Sequence, residues 1–217
     1  MKRKNNGEMW AVHAEILFEM QQIGESLASA IIATQLAPDL PSSWNVMALN
    51  RYHLKEYEEA ISAVKKAILL NTDNYSYWHL LAISLSKMEQ HDQAISVLNH
   101  IIDHNPRDVT ALGNRGNVYI SMGMFDKAAE SIEKALDIDP DYLVGLKNLV
   151  QVYVKLENFL QAEIINNRVL SLLPDDPKAL HIQSSLHILA ITEKIEKAKK
   201  SRKKRKSPVK RTSKKLS

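Results

Sequence analysis

The sequence predicts an all-α fold, in which five helical hairpins stack as an α-solenoid and one more helix caps the carboxyl end. The prediction depends on a 34-residue repeat and on large and small side chains that keep its spacing. Pro106, Pro140 and Pro174 lie 34 residues apart, and the same step backwards reaches Thr72 and Pro38. Because proline interrupts an α-helix, these positions indicate where each hairpin ends.

Two series of apolar residues keep the same step, one of them large and the other mostly small. The small residue follows the large one by four positions, so both lie on one face of a helix. A bulky side chain can then fill the space that a small one leaves on the neighbouring helix. The large series is Trp10, Trp44, Trp78, Leu112 and Leu146, and the small series is Ala14, Ala48, Ala82, Gly116 and Val150.

The repeat divides the chain into segments. Residues 1–6 form a basic amino-terminal extension, residues 177–198 are predicted as a capping helix, and residues 199–217 as a disordered basic tail. A capping helix is expected because a stack of hairpins otherwise exposes its last apolar face. The five hairpin units are 7–40, 41–74, 75–108, 109–142 and 143–176.

Aspartates follow three of the prolines, close to the predicted start of the next helix. They are Asp108, Asp141 and the pair Asp175 and Asp176. A carboxylate at this point can accept hydrogen bonds from the free N–H groups of the first helical turn. We therefore expect these aspartates to cap the first helices of the hairpins and the capping helix.

Together these residues give the chain a resemblance to the tetratricopeptide repeat family, whose units are helical hairpins of 34 residues. The resemblance covers about residues 7–176 and is closest in the fourth unit, over residues 112–119. His13 and Ser26 stand where the family favours Leu and Ala, and Arg51 replaces a large apolar residue. The resemblance implies a protein interaction scaffold rather than an enzyme.

The resemblance also implies that the second, fifth, sixth and ninth places of each unit face a concave groove. These places are mostly apolar in units two and three, and rich in side-chain amides in units four and five. Amides that both donate and accept hydrogen bonds can pair with the backbone of an extended peptide, although they are equally typical of a solvated helix face. The candidate peptide-binding residues are Asn45, His79, Asn114, Asn117, Lys147, Asn148 and Gln151.

The charge is divided between the body and the tail. Residues 197–217 contain 12 Lys or Arg and no Asp or Glu, which leaves 17 basic and 25 acidic side chains in residues 1–196. Such a tail is expected to be disordered by itself, because its charges repel one another and it has few apolar residues.

Three interpretations of the tail remain open. It can be a nuclear import signal read by an import receptor, an electrostatic contact with nucleic acid or an anionic surface, or only a solubilising segment. Ser207 precedes Pro208 and is a candidate phosphorylation site, where added negative charge would weaken such contacts. The candidate import signal comprises Lys199, Lys200, Arg202, Lys203, Lys204, Arg205 and Lys206.

The amino-acid composition excludes several kinds of functional site. The chain has no cysteine, so it contains no disulfide, thiolate zinc site or cysteine nucleophile, and an intracellular location, nuclear or cytoplasmic, is expected. His100 and His104 are four residues apart, but no third ligand can be assigned to them, so no metal site and no cofactor is predicted.

We therefore predict an adaptor that holds a peptide segment of a protein partner in its groove, with chaperone-like scaffolding as one use. The alternative is a nucleic-acid-associated protein whose tail binds the phosphate backbone while the repeats recruit a partner.

Overall fold

The computed structural model describes the backbone of residues 2–189 and of Thr192, with side chains from Asn6 onward. Regular structure in this part of the chain is entirely helical, which confirms the predicted fold class. Ten helices are followed by a helical segment over residues 177–189, here called the terminal helix. The ten are α1 (Lys2–Glu19), α2 (Ile23–Leu36), α3 (Pro41–His53), α4 (Tyr57–Leu70), α5 (Tyr75–Lys87), α6 (His91–His104), α7 (Val109–Ser121), α8 (Phe125–Ile138), α9 (Leu143–Lys155) and α10 (Phe159–Leu172).

The helices pack as five successive hairpins, from α1 with α2 to α9 with α10. Between hairpins, the first helix of each later hairpin packs mainly on the second helix of the hairpin before it. The most extensive apolar cluster joins the second to the fourth hairpin and includes Leu80, Leu85, Leu98 and Ile101. Each such buried side chain contributes about 1.5–3 kcal/mol to folding, so the contacts between hairpins hold the solenoid together.

Every hairpin turns at the fifteenth place of its unit, where the backbone is left-handed. The N–H of the next residue then donates back into the first helix, as Gln22 does to the carbonyl of Leu17 at 2.9 Å. This is the Schellman arrangement that ends many helices. The positive φ angles are 62° at Gln21, 64° at Lys55, 58° at Glu89, 71° at Gly123 and 56° at Glu157.

The predicted ends of the second helices are confirmed, since α6, α8 and α10 each stop two residues before their proline. Tryptophans secure two of these loops from the following unit. Trp44 Nε1 donates to the carbonyl of Pro38 at 2.8 Å, and Trp78 Nε1 donates to that of Thr72 at 2.9 Å. The loop carbonyl is available whether the residue is proline or threonine, which explains why Thr72 can stand in the proline series.

The capping prediction is right for Asp108 and Asp176 and wrong for Asp141. Asp108 Oδ1 accepts from the N–H of Ala111 at 2.8 Å, and Asp176 Oδ1 accepts from that of Ala179 at 2.9 Å. The residue before α9 is Tyr142, whose side chain makes no capping hydrogen bond. The carboxylate of Asp141 lies one residue too early and instead accepts from Arg168 Nη2 at 2.6 Å.

Both ends of the stack differ in detail from the predicted segments. Helix α1 begins at Lys2, so residues 2–6 of the expected extension continue the first helix. At the other end, Ala179 and Leu186 of the terminal helix are buried. Asn166 Nδ2 fixes this helix by donating to the carbonyl of Ala179 at 2.9 Å. The remainder of the predicted capping helix, 190–198, lies outside the described residues except for Thr192.

Ser26, the departure from the family pattern in the first unit, joins the first two hairpins. Its hydroxyl donates to the carbonyl of Ala14 at 2.7 Å and accepts from Asn50 Nδ2 at 2.8 Å. All of these atoms are buried, where a hydroxyl needs partners to offset its lost hydration. An alanine at this place would leave the Asn50 amide with less of its hydrogen bonding satisfied.

Candidate functional site

The candidate groove residues come from α3, α5, α7 and α9, whose equivalent places recur along the stack. These residues differ in how deeply their side chains are buried. Val46 and Leu80, at the sixth place of units two and three, are buried. Asn114 and Asn148, at the same place of units four and five, are only half-buried. The sixth-place residues of units two and three therefore belong to the core, and those of units four and five stay accessible.

The fifth-place residues of units three and five contact the residue that precedes the next hairpin or the terminal helix. His79 Nε2 lies 3.0 Å from Asp108 Oδ2, and Lys147 Nζ donates to Asp176 Oδ2 at 2.5 Å. In unit four the fifth place is Gly113, and a Cβ added there would be 2.5 Å from the hydroxyl of Tyr142. His79 and Lys147, both predicted to contact a ligand, thus also connect neighbouring units.

Asp176 has two stabilising partners. The hydrogen bond from Lys147 and the one from the backbone of Ala179 hold the pKa of its carboxyl below the usual value, with the lysine as the larger cause. The carboxylate neutralises Lys147 and at the same time caps the terminal helix. The charge of Asp176 therefore helps to hold the terminal helix against unit five.

The amides of units four and five form a connected polar surface. Asn148 Nδ2 donates to Asn117 Oδ1 at 2.6 Å, which joins α9 to α7. Gln151, one turn further along α9, is exposed, and Asn45 in unit two is half-buried and distant in sequence from this group. Amides that are already paired once keep a further donor or acceptor, so Asn117 and Asn148 can still bind a peptide backbone.

Two cavities lie along these residues. One of about 290 Å³ is lined by Asn114 and Asn117 together with Tyr52, Lys87 and Ser121. The other, of about 830 Å³, lies between α9 and the terminal helix. Its walls combine amides, charges and apolar side chains, namely Val144, Lys147, Asn148, Val150, Gln151, Asn166, Val169, Asp176, Pro177, Lys178, Ala179, His181 and Ile182.

The terminal helix is part of this site, although none of its residues was among the candidate peptide-binding residues. Lys178, His181 and Ile182 line the larger cavity, although the helix was expected only to cover an apolar face. A signal was available, because these residues occupy places two, five and six when the unit numbering is continued past residue 176. Tyr52 is another wall residue that was not predicted, and nothing in the repeat pattern places it near Asn114.

The paired histidines belong to an aromatic cluster on the third hairpin. The ring centroids of His100 and His104 are 5.0 Å apart, and that of Trp78 is 4.5 Å from His100. Tyr75 packs beside His104 at 5.4 Å. Across the described part of the chain, no group of three or more His, Asp or Glu side chains is placed to hold a metal ion.

The tail candidates, from Lys199 through Lys206 and Ser207, lie outside the described residues. Within the part of the chain that the structure covers, none of the helices has the length and apolar character needed to span a bilayer.

Comparison with known proteins identifies the repeat. Family models of the tetratricopeptide repeat match residues 41–74, 75–108 and 109–142, the ranges of the second, third and fourth units. No curated protein sequence matches the chain significantly.

Solved structures share the stacked-hairpin fold at low sequence identity. PilF of Pseudomonas aeruginosa is 13% identical with a TM-score of 0.75, over 89% of this chain and 88% of that one. MamA (41-end) from Desulfovibrio magneticus RS-1 is 19% identical with a TM-score of 0.71, over 79% and 97%. YrrB, described as a TPR protein with an unusual peptide-binding site, is 22% identical with a TM-score of 0.64, over 81% and 90%.

These identities indicate a common fold rather than a common ligand. Three consecutive family matches lie within a stack of hairpins that solved tetratricopeptide structures share. The chain is therefore a member of the tetratricopeptide repeat family.

Proposed function

We propose that this chain is a protein interaction scaffold that binds an extended peptide segment on the carboxyl-terminal half of its concave surface. The observation that carries the proposal is the cavity of about 830 Å³ between α9 and the terminal helix, bordered by Lys147, Asn148 and Gln151. The tetratricopeptide fold supports the general role of protein binding. A peptide-binding site in YrrB, which has a similar fold, is consistent with the finer one.

The chemistry of the walls favours a peptide with both backbone and apolar contacts. Asn148 and Gln151 can hydrogen bond to peptide N–H and C=O groups without selecting a side chain. Val144 is half exposed and Ile182 half-buried beside them, so an apolar side chain of the ligand would find a surface there. Lys178 is an exposed cation on the same wall and would favour an acidic neighbour in the ligand.

The groove also has features that argue against a tightly held terminal carboxylate. The family's chaperone-binding members use two lysines and an arginine, whereas Gly113 and Ile182 occupy two of those places here. Lys147 is already paired with Asp176. Without a free arginine the site lacks a bidentate partner for a carboxylate, so we expect an internal segment of the partner to bind.

A displayed library of random peptides, selected on the full chain, tests the proposal. Selected peptides should bind about five- to a hundredfold more weakly to the Asn148→Ala, Gln151→Ala variant, because two hydrogen bonds of about 0.5–1.5 kcal/mol each are lost. Asn167→Ala is the matched control, since Asn167 is an exposed amide on α10, away from the cavity. Affinities can be measured by fluorescence anisotropy.

Two results would contradict the peptide site. One is an equal affinity for the double variant and for the control. The other is that no peptide is enriched above the level obtained with the chain truncated after residue 176, which lacks one wall of the cavity.

The basic tail supports a second contact, for localisation or with a polyanion. The 12 basic residues of 197–217 would bind phosphate groups with a steep dependence on salt. If binding to a DNA or RNA fragment falls steeply with salt and is lost when residues 199–217 are deleted, the nucleic-acid alternative gains support. Ser207→Asp should weaken the same contact, because it adds a negative charge among the lysines.

A further inference from the structure

Helix α1 exposes apolar side chains at two places, the third and the tenth, that are buried in every later repeat. At the third place Met9 is 69% exposed, and at the tenth place Ile16 is 53% exposed. Val12, at the sixth place, is also 53% exposed, whereas Val46 and Leu80 at that place are buried. The third-place counterparts Ser43, Tyr77, Ala111 and Gly145 and the tenth-place counterparts Asn50, Ser84, Val118 and Val152 are all buried.

In the later repeats, the same kind of helix always packs on these residues. Of the helices in the repeat before it, the first helix of a repeat packs mainly on the second, which runs in the opposite direction. Within the described residues, α1 has no such preceding helix. Its exposed Met9 and Ile16 therefore continue the interface between repeats, and Val12 and Met20 extend this apolar stripe, which fits one antiparallel helix.

We propose that this helix is the α1 of a second copy, so that the chain forms a two-fold symmetric dimer through its amino-terminal helices. A two-fold axis perpendicular to α1 near Val12 makes the paired helices antiparallel, as the stripe requires. It also brings the first turn of each α1, which contains Lys2, Arg3 and Lys4, beside the last turn of the other, which contains Glu19. The ends of the paired helices then have opposite charge.

The surface has space for the partner's side chains. A cavity of about 350 Å³ lies on α1 and is lined by Asn6, Met9, Trp10 and His13. In the antiparallel pairing about Val12, Ile16 of the partner lies over the residues that line this cavity. Each copy thus supplies both the protruding residue and the recess, which is the self-complementarity that a two-fold interface needs.

The terminal helix is a poorer partner for α1. Continuing the stack head to tail would place α1 of one copy after the terminal helix of another, and first helices of neighbouring repeats run parallel. The corresponding surface in later repeats packs on the second helix of the preceding repeat, whereas the terminal helix continues the series of first helices. Two paired α1 helices run antiparallel, which is the direction that this surface packs against in the later repeats. The head-to-tail arrangement would place a parallel helix there instead.

Sedimentation velocity of the full chain over a concentration series tests this dimer. We expect twice the mass of one chain for the native sequence. The Val12→Asp, Ile16→Asp variant should weaken dimerisation by about a hundredfold or more, because the dimer would bury four unpaired carboxylates. Leu160→Asp is the control, since Leu160 is 67% exposed on α10 and distant from α1. Circular dichroism establishes that each variant remains helical.

Cysteine cross-linking tests the direction of the helices. Because the native chain has no cysteine, a single Val12→Cys substitution reports one position. Near the axis the two Cβ atoms come within about 4.5 Å and form a disulfide on oxidation, whereas Met20→Cys, far from the axis, should not. A native chain that stays monomeric, a dimer that survives the double aspartate variant, or a Met20→Cys dimer would each overturn the proposal.

Discussion

The second and third repeats and the fourth and fifth repeats use the same place of the same helix in opposite ways. Val46 and Leu80 occupy the sixth place in the first pair and are buried, while Asn114 and Asn148 occupy it in the second pair and remain half-buried. An apolar side chain at this place gains by leaving water, whereas an amide does so only if its polar atoms find partners. The amino-terminal half therefore strengthens the stack at this place, and the carboxyl-terminal half keeps an accessible polar surface.

Replacing the sixth-place side chain by alanine should give the largest difference in stability between the two halves. Leu80→Ala should lower the free energy of unfolding by about 2–5 kcal/mol, since it leaves a cavity in the most extensive apolar cluster. Asn114→Ala should change it by less than about 1 kcal/mol, because the amide is partly hydrated in the native state. Urea unfolding followed by circular dichroism measures both. Equal costs would show that the two halves do not differ in the way proposed.

The two halves also differ in how closely the eighth place is packed. Ala48 and Ala82 occupy it in the second and third repeats, but Gly116 does so in the fourth, where an added Cβ would overlap Cγ1 of Ile132. Gly116→Ala should therefore destabilise the fold by about 1–3 kcal/mol, although alanine is the better helix former. Gly24→Ala, on α2 with open space around it, is the control and should stabilise by up to about 1 kcal/mol. Thermal unfolding of both variants gives the comparison.

A smaller difference in unfolding free energy is expected at the fourth place. Trp78 donates an indole hydrogen bond to the loop of the preceding repeat, whereas the equivalent Leu112 and Leu146 have no polar atom to do so. Trp78→Phe should lower the unfolding free energy by about 1 kcal/mol through the lost bond. Trp10→Phe controls for the change in ring size, because no preceding loop is described there. If both substitutions cost the same, the hydrogen bond contributes nothing measurable.

Acid should first loosen the carboxyl-terminal junction. The pKa of Asp176 is lowered in the folded chain, chiefly by Lys147. Its stabilising effect is complete above the unfolded pKa of about 3.9 and is lost as the pH falls through the lower folded pKa. Hydrogen exchange in residues 177–189 should therefore accelerate in that range, and less so in Lys147→Met. An unchanged pH profile in that variant would contradict the role of the ion pair.

Much of this molecule follows from its sequence, because repetition tests each inference several times. One proline spacing located the ends of the second helices, and one alternation of large and small residues located the faces that pack. The amides of units four and five that remain accessible were also identified. Each of these depends on residue type at a fixed helical spacing, which local chain geometry translates directly into position.

Other features were decided by the tertiary structure. Four of the five left-handed turn residues, Gln21, Lys55, Glu89 and Glu157, are types that rarely adopt a positive φ, so only Gly123 indicated the turn from sequence. The pairings of Lys147 with Asp176 and of Asn117 with Asn148 join residues 29 and 31 positions apart. The sequence determined which side chains each helix presents. Which of them meet, and which remain accessible on α1 and beside the terminal helix, depends on how successive hairpins are oriented, because burial is a property of neighbouring helices and not of one.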